Sequence, residues 1–141
     1  MAIDKSDGDT VTLARNRVTP TGDIEAIPLR GAWTGNRGIL HSGREIVRFH
    51  ASNLWITCAL EFQGRWHEQW QPHHYTFLYF HDEAVSFAAG HRPCAECRRD
   101  SYNAYRMAWA AGLGVAGPPR VLWRLNLPRG YRQAASGGCC Q

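Results

Sequence analysis

The chain has 141 residues and a formal net charge of +4, and 44% of it is hydrophobic, with six tryptophans. This content fits one packed domain that can bury a core without disulfides, and it excludes a wholly disordered chain. No apolar run approaches the ~20 residues a spanning helix needs and no signal-like N-terminus appears, so the expected setting is the cytoplasm, away from membranes, where thiols stay reduced.

In chain order, residues 1–16 are polar, with Asp4, Asp7 and Asp9, and read as a flexible leader. One domain is expected over 17–132 and a small-residue tail over 133–141. Val18 to Leu29 alternates loosely around Thr19-Pro20-Thr21-Gly22 and suggests one or two short strands. Arg30 to Arg37 is glycine-rich and reads as a loop leading to Gly38-Ile39-Leu40-His41. Trp55 to Phe62 has the β-branched and aromatic content of a strand; Gly64 marks a turn, after which Trp66 to Trp70 would extend a hairpin. Tyr75 to Phe80 is apolar on both alternating faces and is the candidate central strand.

Asp82 is placed to cap a short helix that Gly90 stops. A longer helix is expected from Arg98 to Ala111, with Tyr102, Tyr105 and Trp109 on one face and Arg99, Asn103 and Arg106 on the other. Past Gly112 a loop would run through Pro119, and Val121 to Leu127 would form a last strand. The expected fold is therefore α+β: a small antiparallel sheet, a short helix, a Cys-x-x-Cys zinc knuckle and one longer C-terminal helix.

The chemistry concentrates in Gly90-His91-Arg92-Pro93-Cys94-Ala95-Glu96-Cys97-Arg98-Arg99, which contains the one Cys-x-x-Cys of the chain. Two intervening residues let both sulfurs turn onto one tetrahedral ion, half of a zinc site. Cys97 would sit at the positive end of the following helix, where a thiolate is favoured. A redox pair and two neighbouring core cysteines are the competing readings. Further ligands must come from Cys58, Cys139, Cys140 and the seven histidines. Cys58 is chosen because its strand could lie beside Tyr75–Phe80 and so near the knuckle.

The run Asp82 to Arg98, ending in Ala89-Gly90-His91-Arg92-Pro93-Cys94-Ala95-Glu96-Cys97-Arg98, resembles the second half of the Ada-type metal-binding domain. The chain also resembles a bacterial protein family that carries Gly-Asn-Arg-Gly-x-Leu-His, here Gly35 to His41. The Ada likeness implies a zinc fold and makes His41 the fourth ligand, beside Cys94, Cys97 and Cys58. It also implies that His91, standing where the family has an aromatic residue, packs like one. Ada-type domains open with a Cys-x-x-x-Cys pair whose first thiolate accepts a methyl group from DNA phosphotriesters. No such pair precedes residue 94, so that activity does not carry over.

Charge is uneven. Residues 1–29 hold three basic and five acidic side chains, and 30–141 hold thirteen and seven. All the basic residues but Lys5 are arginines, which suit phosphate through their planar fork. The first functional reading is a nucleic-acid-binding module, DNA or RNA meeting Arg92, Arg98, Arg99 and Arg106. The alternatives are a zinc-dependent enzyme (hydrolase, nuclease-like or thiol alkyl acceptor, with Glu45, Glu61, His73 or His74 as base) and a structural zinc protein that meets a protein partner through Trp66 and Trp70. No catalytic residue is singled out.

Overall fold

The computed structural model of the protein describes residues 12–114. Most of the expected leader, the loop through Pro119, the Val121–Leu127 strand, the tail, and Cys139 and Cys140 lie outside the described residues. The first hairpin joins β1 (Arg17–Val18) to β2 (Ile24–Glu25) in antiparallel register. Its turn closes where Gly22 donates to the Thr19 carbonyl at 2.9 Å, with Gly22 at φ 90°.

The glycine-rich stretch expected to be a loop instead contains β3 (Trp33–Asn36), an interior strand. Gly35 is there for close approach: a Cβ on it would lie 2.2 Å from the Ile56 carbonyl oxygen and 2.7 Å from the Phe80 ring. A separate two-stranded ribbon follows, β4 (His41–Ser42) with β5 (Glu45–Ile46). Next come β6 (Ile56–Cys58), far shorter than the Trp55–Phe62 run, and β7 (Leu78–Phe80), which lies inside the sheet as expected. Trp66 to Trp70 extends no hairpin.

Helix α1 (Glu83–Ala88) starts where the Asp82 carboxylate accepts from the Val85 amide at 2.8 Å, and the chain turns out of it at Gly90, φ 88°. A two-residue strand, β8 (Arg92–Pro93), leads to α2 (Arg99–Leu113). Helix α2 runs through Gly112 and stops only at Gly114, which takes the left-handed conformation.

The main sheet has the order β2-β1-β7-β3-β6-β8. It is mixed, and not the antiparallel sheet expected, because β1 pairs parallel with β7 and β6 parallel with β8. The second pairing follows from α1, which returns the chain to the end of the sheet where β6 began, as parallel neighbours require. Val18, Ile24, Leu40, Leu78, Phe80 and Ala89 form one buried cluster; Ile56, Cys58 and Cys94 form another. Among the described residues no helix is long and apolar enough to cross a membrane.

Candidate metal centre

The cysteine site is built by strand register. Ile56 pairs with Arg92 and Thr57 with Pro93, so the next step along both strands sets Cys58 beside Cys94. The Arg92 amide donates to the Trp55 carbonyl at 3.1 Å and the Cys94 amide to the Thr57 carbonyl at 2.9 Å. Pro93, lacking an N–H, falls on the residue between them, whose amide the ladder does not use. Cys58 thus reaches the knuckle through β8, and not through β7, from which β3 separates it.

Beyond β8 the chain turns tightly. The Arg98 amide donates to the Cys94 carbonyl at 3.1 Å and the Glu96 amide to Cys94 Sγ at 3.3 Å. This returns Cys97 to the other two sulfurs, just ahead of the first turn of α2. The Sγ atoms of Cys58, Cys94 and Cys97 all lie within 4.8 Å of one another, close enough to hold a metal ion. Cys94 and Cys58 are buried and Cys97 is half-buried. The hydrogen bond from Cys58 favours the Cys97 thiolate, but the Cys94 hydrogen bond, burial and the Cys94 charge outweigh it, and the thiol is pushed up to about 12. Three thiolates at such distances repel, and a cation among them reverses that balance.

His41 lies apart from this group. Its Nδ1 is 2.6 Å from the Thr76 hydroxyl, its Nε2 is 3.2 Å from the Gln71 carbonyl, and its ring meets Trp70 edge-on. Both ring nitrogens are thereby engaged, and the residue fastens the β4 end to the segment before β7. Among the described residues the cluster comprises sulfurs alone. A third thiol distinguishes it from the two-cysteine redox pair.

The arginines expected to face phosphate divide. Arg98 is buried, ion-paired with Glu83 and stacked 3.9 Å from the Trp33 ring centroid. Arg92 is also buried and lies over Tyr102 at 5.2 Å. Arg106 sits half-buried over the same ring at 5.3 Å, and Arg99 is exposed. Glu96 pairs with Arg65 at 2.8 Å.

One feature beside the site escaped the sequence reading. Arg37 is fully buried between the rings of Phe49 and Trp55, 4.5 and 4.2 Å from their centroids. Its Nε donates to His91 Nε2 at 3.0 Å and its Nη2 to the Gly22 carbonyl at 2.9 Å. Burial lowers this guanidinium to about 10, against a raising contribution from Asp23. Because His91 accepts at Nε2, its proton is on Nδ1, which donates to the Ile56 carbonyl at 3.0 Å. Burial first, then the Arg37 charge, depress His91 to about 3, although the Ile56 hydrogen bond opposes them. The pair therefore braces β6 at Ile56, two residues ahead of Cys58. The only local signal was His91 beside the knuckle; the rings around Arg37 come from distant positions.

Comparison with protein-family models, curated proteins and solved structures finds no match to this chain. The functional reading therefore stands on the site's own chemistry.

Proposed function

We propose that the protein is a zinc-stabilised binding module in which Cys58, Cys94 and Cys97 hold the ion. The observation that carries this reading is the convergence of three sulfurs within 4.8 Å from two parallel strands and a helix start. Thiolates are soft donors that suit zinc, and the Glu96 amide directed at Cys94 Sγ favours the charged sulfur a metal requires. In this reading the ion is structural: it ties β6 to β8 and α2, and the likeness to Ada-type domains extends to that role and not to methyl transfer. A closed tetrahedral site needs a fourth donor. Cys139 and Cys140 are the remaining cysteines of the chain, and their serine variants belong in the same experiment.

Metal analysis of the purified full-length chain is the test, with one zinc per chain expected. Cys58→Ser, Cys94→Ser and Cys97→Ser should each lose most of it, because structural zinc is bound with roughly 10 kcal/mol or more. A reduced, folded wild type that takes up no zinc would end this reading.

Nucleic acid is the partner class proposed, on the net charge of +4 and the exposed Arg99 at the start of α2. With Arg92 and Arg98 engaged internally, phosphate contact falls to Arg99 and, of the arginines named, the half-buried Arg106. Affinity that does not weaken as salt rises would remove this partner.

A further inference from the structure

Helix α2 is anchored where Tyr102 lies under Arg92 and where Ala110 is buried. A neighbouring face of the helix is open and forms a groove with α1. Two rows of residues four apart line it, as helical spacing requires. Tyr105, Trp109 and Leu113 make a bulky row, and Ala104, Ala108 and Gly112 a low one beside it. Phe87 of α1 lines the same groove and meets the Tyr105 ring at 5.5 Å; Trp109 continues the stripe 6.3 Å beyond. Phe87 is 39% and Leu113 49% exposed, and apolar surface gathered in this way is costly to leave in water. Glu83, the one charged residue of the lining, is ion-paired with Arg98. The groove therefore calls for hydrocarbon and not for charge.

The chain itself supplies a complement. Gly114 takes the left-handed conformation and ends α2 directly after Leu113, so the backbone leaves the helix at one end of the groove. After six intervening residues, outside the described ones, the sequence reads Val121-Leu122-Trp123-Arg124-Leu125-Asn126-Leu127. Its odd-numbered positions are all apolar, with Arg124 and Asn126 between them. In an extended conformation Val121, Trp123, Leu125 and Leu127 would share one side. The lengths agree. From Ser101 to Leu113 the groove follows the helix for about 18 Å, and seven extended residues cover about 23 Å. The six residues before them reach up to about 20 Å, which is enough to turn back along α2.

We propose that the groove between α1 and α2 is the docking site of the chain's own residues 121–127, with Val121, Trp123, Leu125 and Leu127 toward the groove and Arg124 and Asn126 toward water. Closing so short a loop costs little. A segment tethered this near is present at an effective concentration on the order of millimolar, far above that of a second copy in dilute solution. Covalent proximity thus favours the chain's own segment over an identical one from another molecule. The inference rests neither on the ion nor on the nucleic-acid partner.

Amide hydrogen exchange read by mass spectrometry on the full-length chain tests this, with light scattering on the same samples. Amides of 121–127 should be protected in the wild type at a concentration where the scattering mass is that of a monomer. Ala108→Glu sets a charge at an exposed position of the groove and should accelerate exchange in 121–127 about tenfold or more, with β3 and β7 unchanged. Met107→Glu places the same charge at an exposed position outside the lining and should leave 121–127 as protected as before. Should Ala108→Glu unfold α2, Leu113→Lys takes its place, at another exposed position of the lining. Unprotected amides in wild-type 121–127, equal protection in the groove variant, or an equal loss in Met107→Glu overturns the assignment. Protection that appears only with a dimer's scattering mass also overturns it, and gives the groove to a second copy.

Discussion

His91 is kept as a neutral imidazole by its surroundings: no solvent, a guanidinium on Nε2 and a carbonyl on Nδ1. In the unfolded chain the same ring takes up a proton near pH 6.5, whereas in the folded chain it resists until about 3. Between those values the unfolded state binds the extra proton, so stability is complete above pH 6.5 and falls as the solution is acidified. The slope approaches ~1.4 kcal/mol per pH unit for one proton. Denaturant unfolding between pH 7 and pH 4, compared between wild type and His91→Gln, should show this component in the wild type only; equal slopes would refute it. Thiol protonation and metal loss act on both proteins and cancel in the difference. Cysteines announce metal chemistry by type and spacing, so Cys94 and Cys97 were legible in the sequence; Cys58 was chosen for a strand expected beside Tyr75–Phe80, and it joins the group instead through β8. Arg37 was not legible, because what buries it comes from Gly22, Phe49, Trp55 and His91, scattered along the chain. His41 had the right chemistry for a ligand, but Thr76 and Gln71 claim its nitrogens.

Two glycines show how differently one residue type acts within an element. Gly35 in β3 faces the Ile56 carbonyl so closely that a methyl group cannot enter, whereas a Cβ at Gly112 in α2 would meet nothing within 4 Å. Gly35→Ala should lower the urea midpoint, with a loss of ~1–3 kcal/mol or more, because β6 has to shift. Gly112→Ala should raise it, with a gain of ~0.5–1 kcal/mol in stability, since alanine loses less backbone freedom in a helix. Both changes having the same sign would contradict this account. The same contrast explains where sequence patterns failed. A glycine-rich run reads as a turn when its partner strand is unseen, and β3 is therefore invisible locally. The α1 cap at Asp82 and the stop at Gly90 were legible because both act within a few residues. Parallel pairing of β6 with β8 depends on a crossover, and two- and three-residue strands carry too little periodicity to reveal it.

Across the molecule the two buried clusters divide the labour. The larger, from Val18 to Ala89, is hydrocarbon packing; the smaller is Ile56 with two of the three clustered cysteines, and it leans on Leu54 and Cys97. Removal of the proposed ion should therefore loosen one side first. After chelation, amide exchange should accelerate in β6, β8 and α2 while β1 and β7 keep their protection. Uniform acceleration across all strands would show instead that the ion supports the whole domain equally.

Cys58 and Cys94 stand thirty-six positions apart in the chain, yet they are side by side in the sheet. A nascent chain emerging from the ribosome exposes the first long before the second exists. The proposed ion would be captured only after β7 and α1 have been laid down and β8 has docked. If the cysteines hold the proposed ion, its retention would be a late checkpoint of synthesis: a truncated or misregistered chain would have thiols but no socket, and such chains are the ones a cell's proteases would find open.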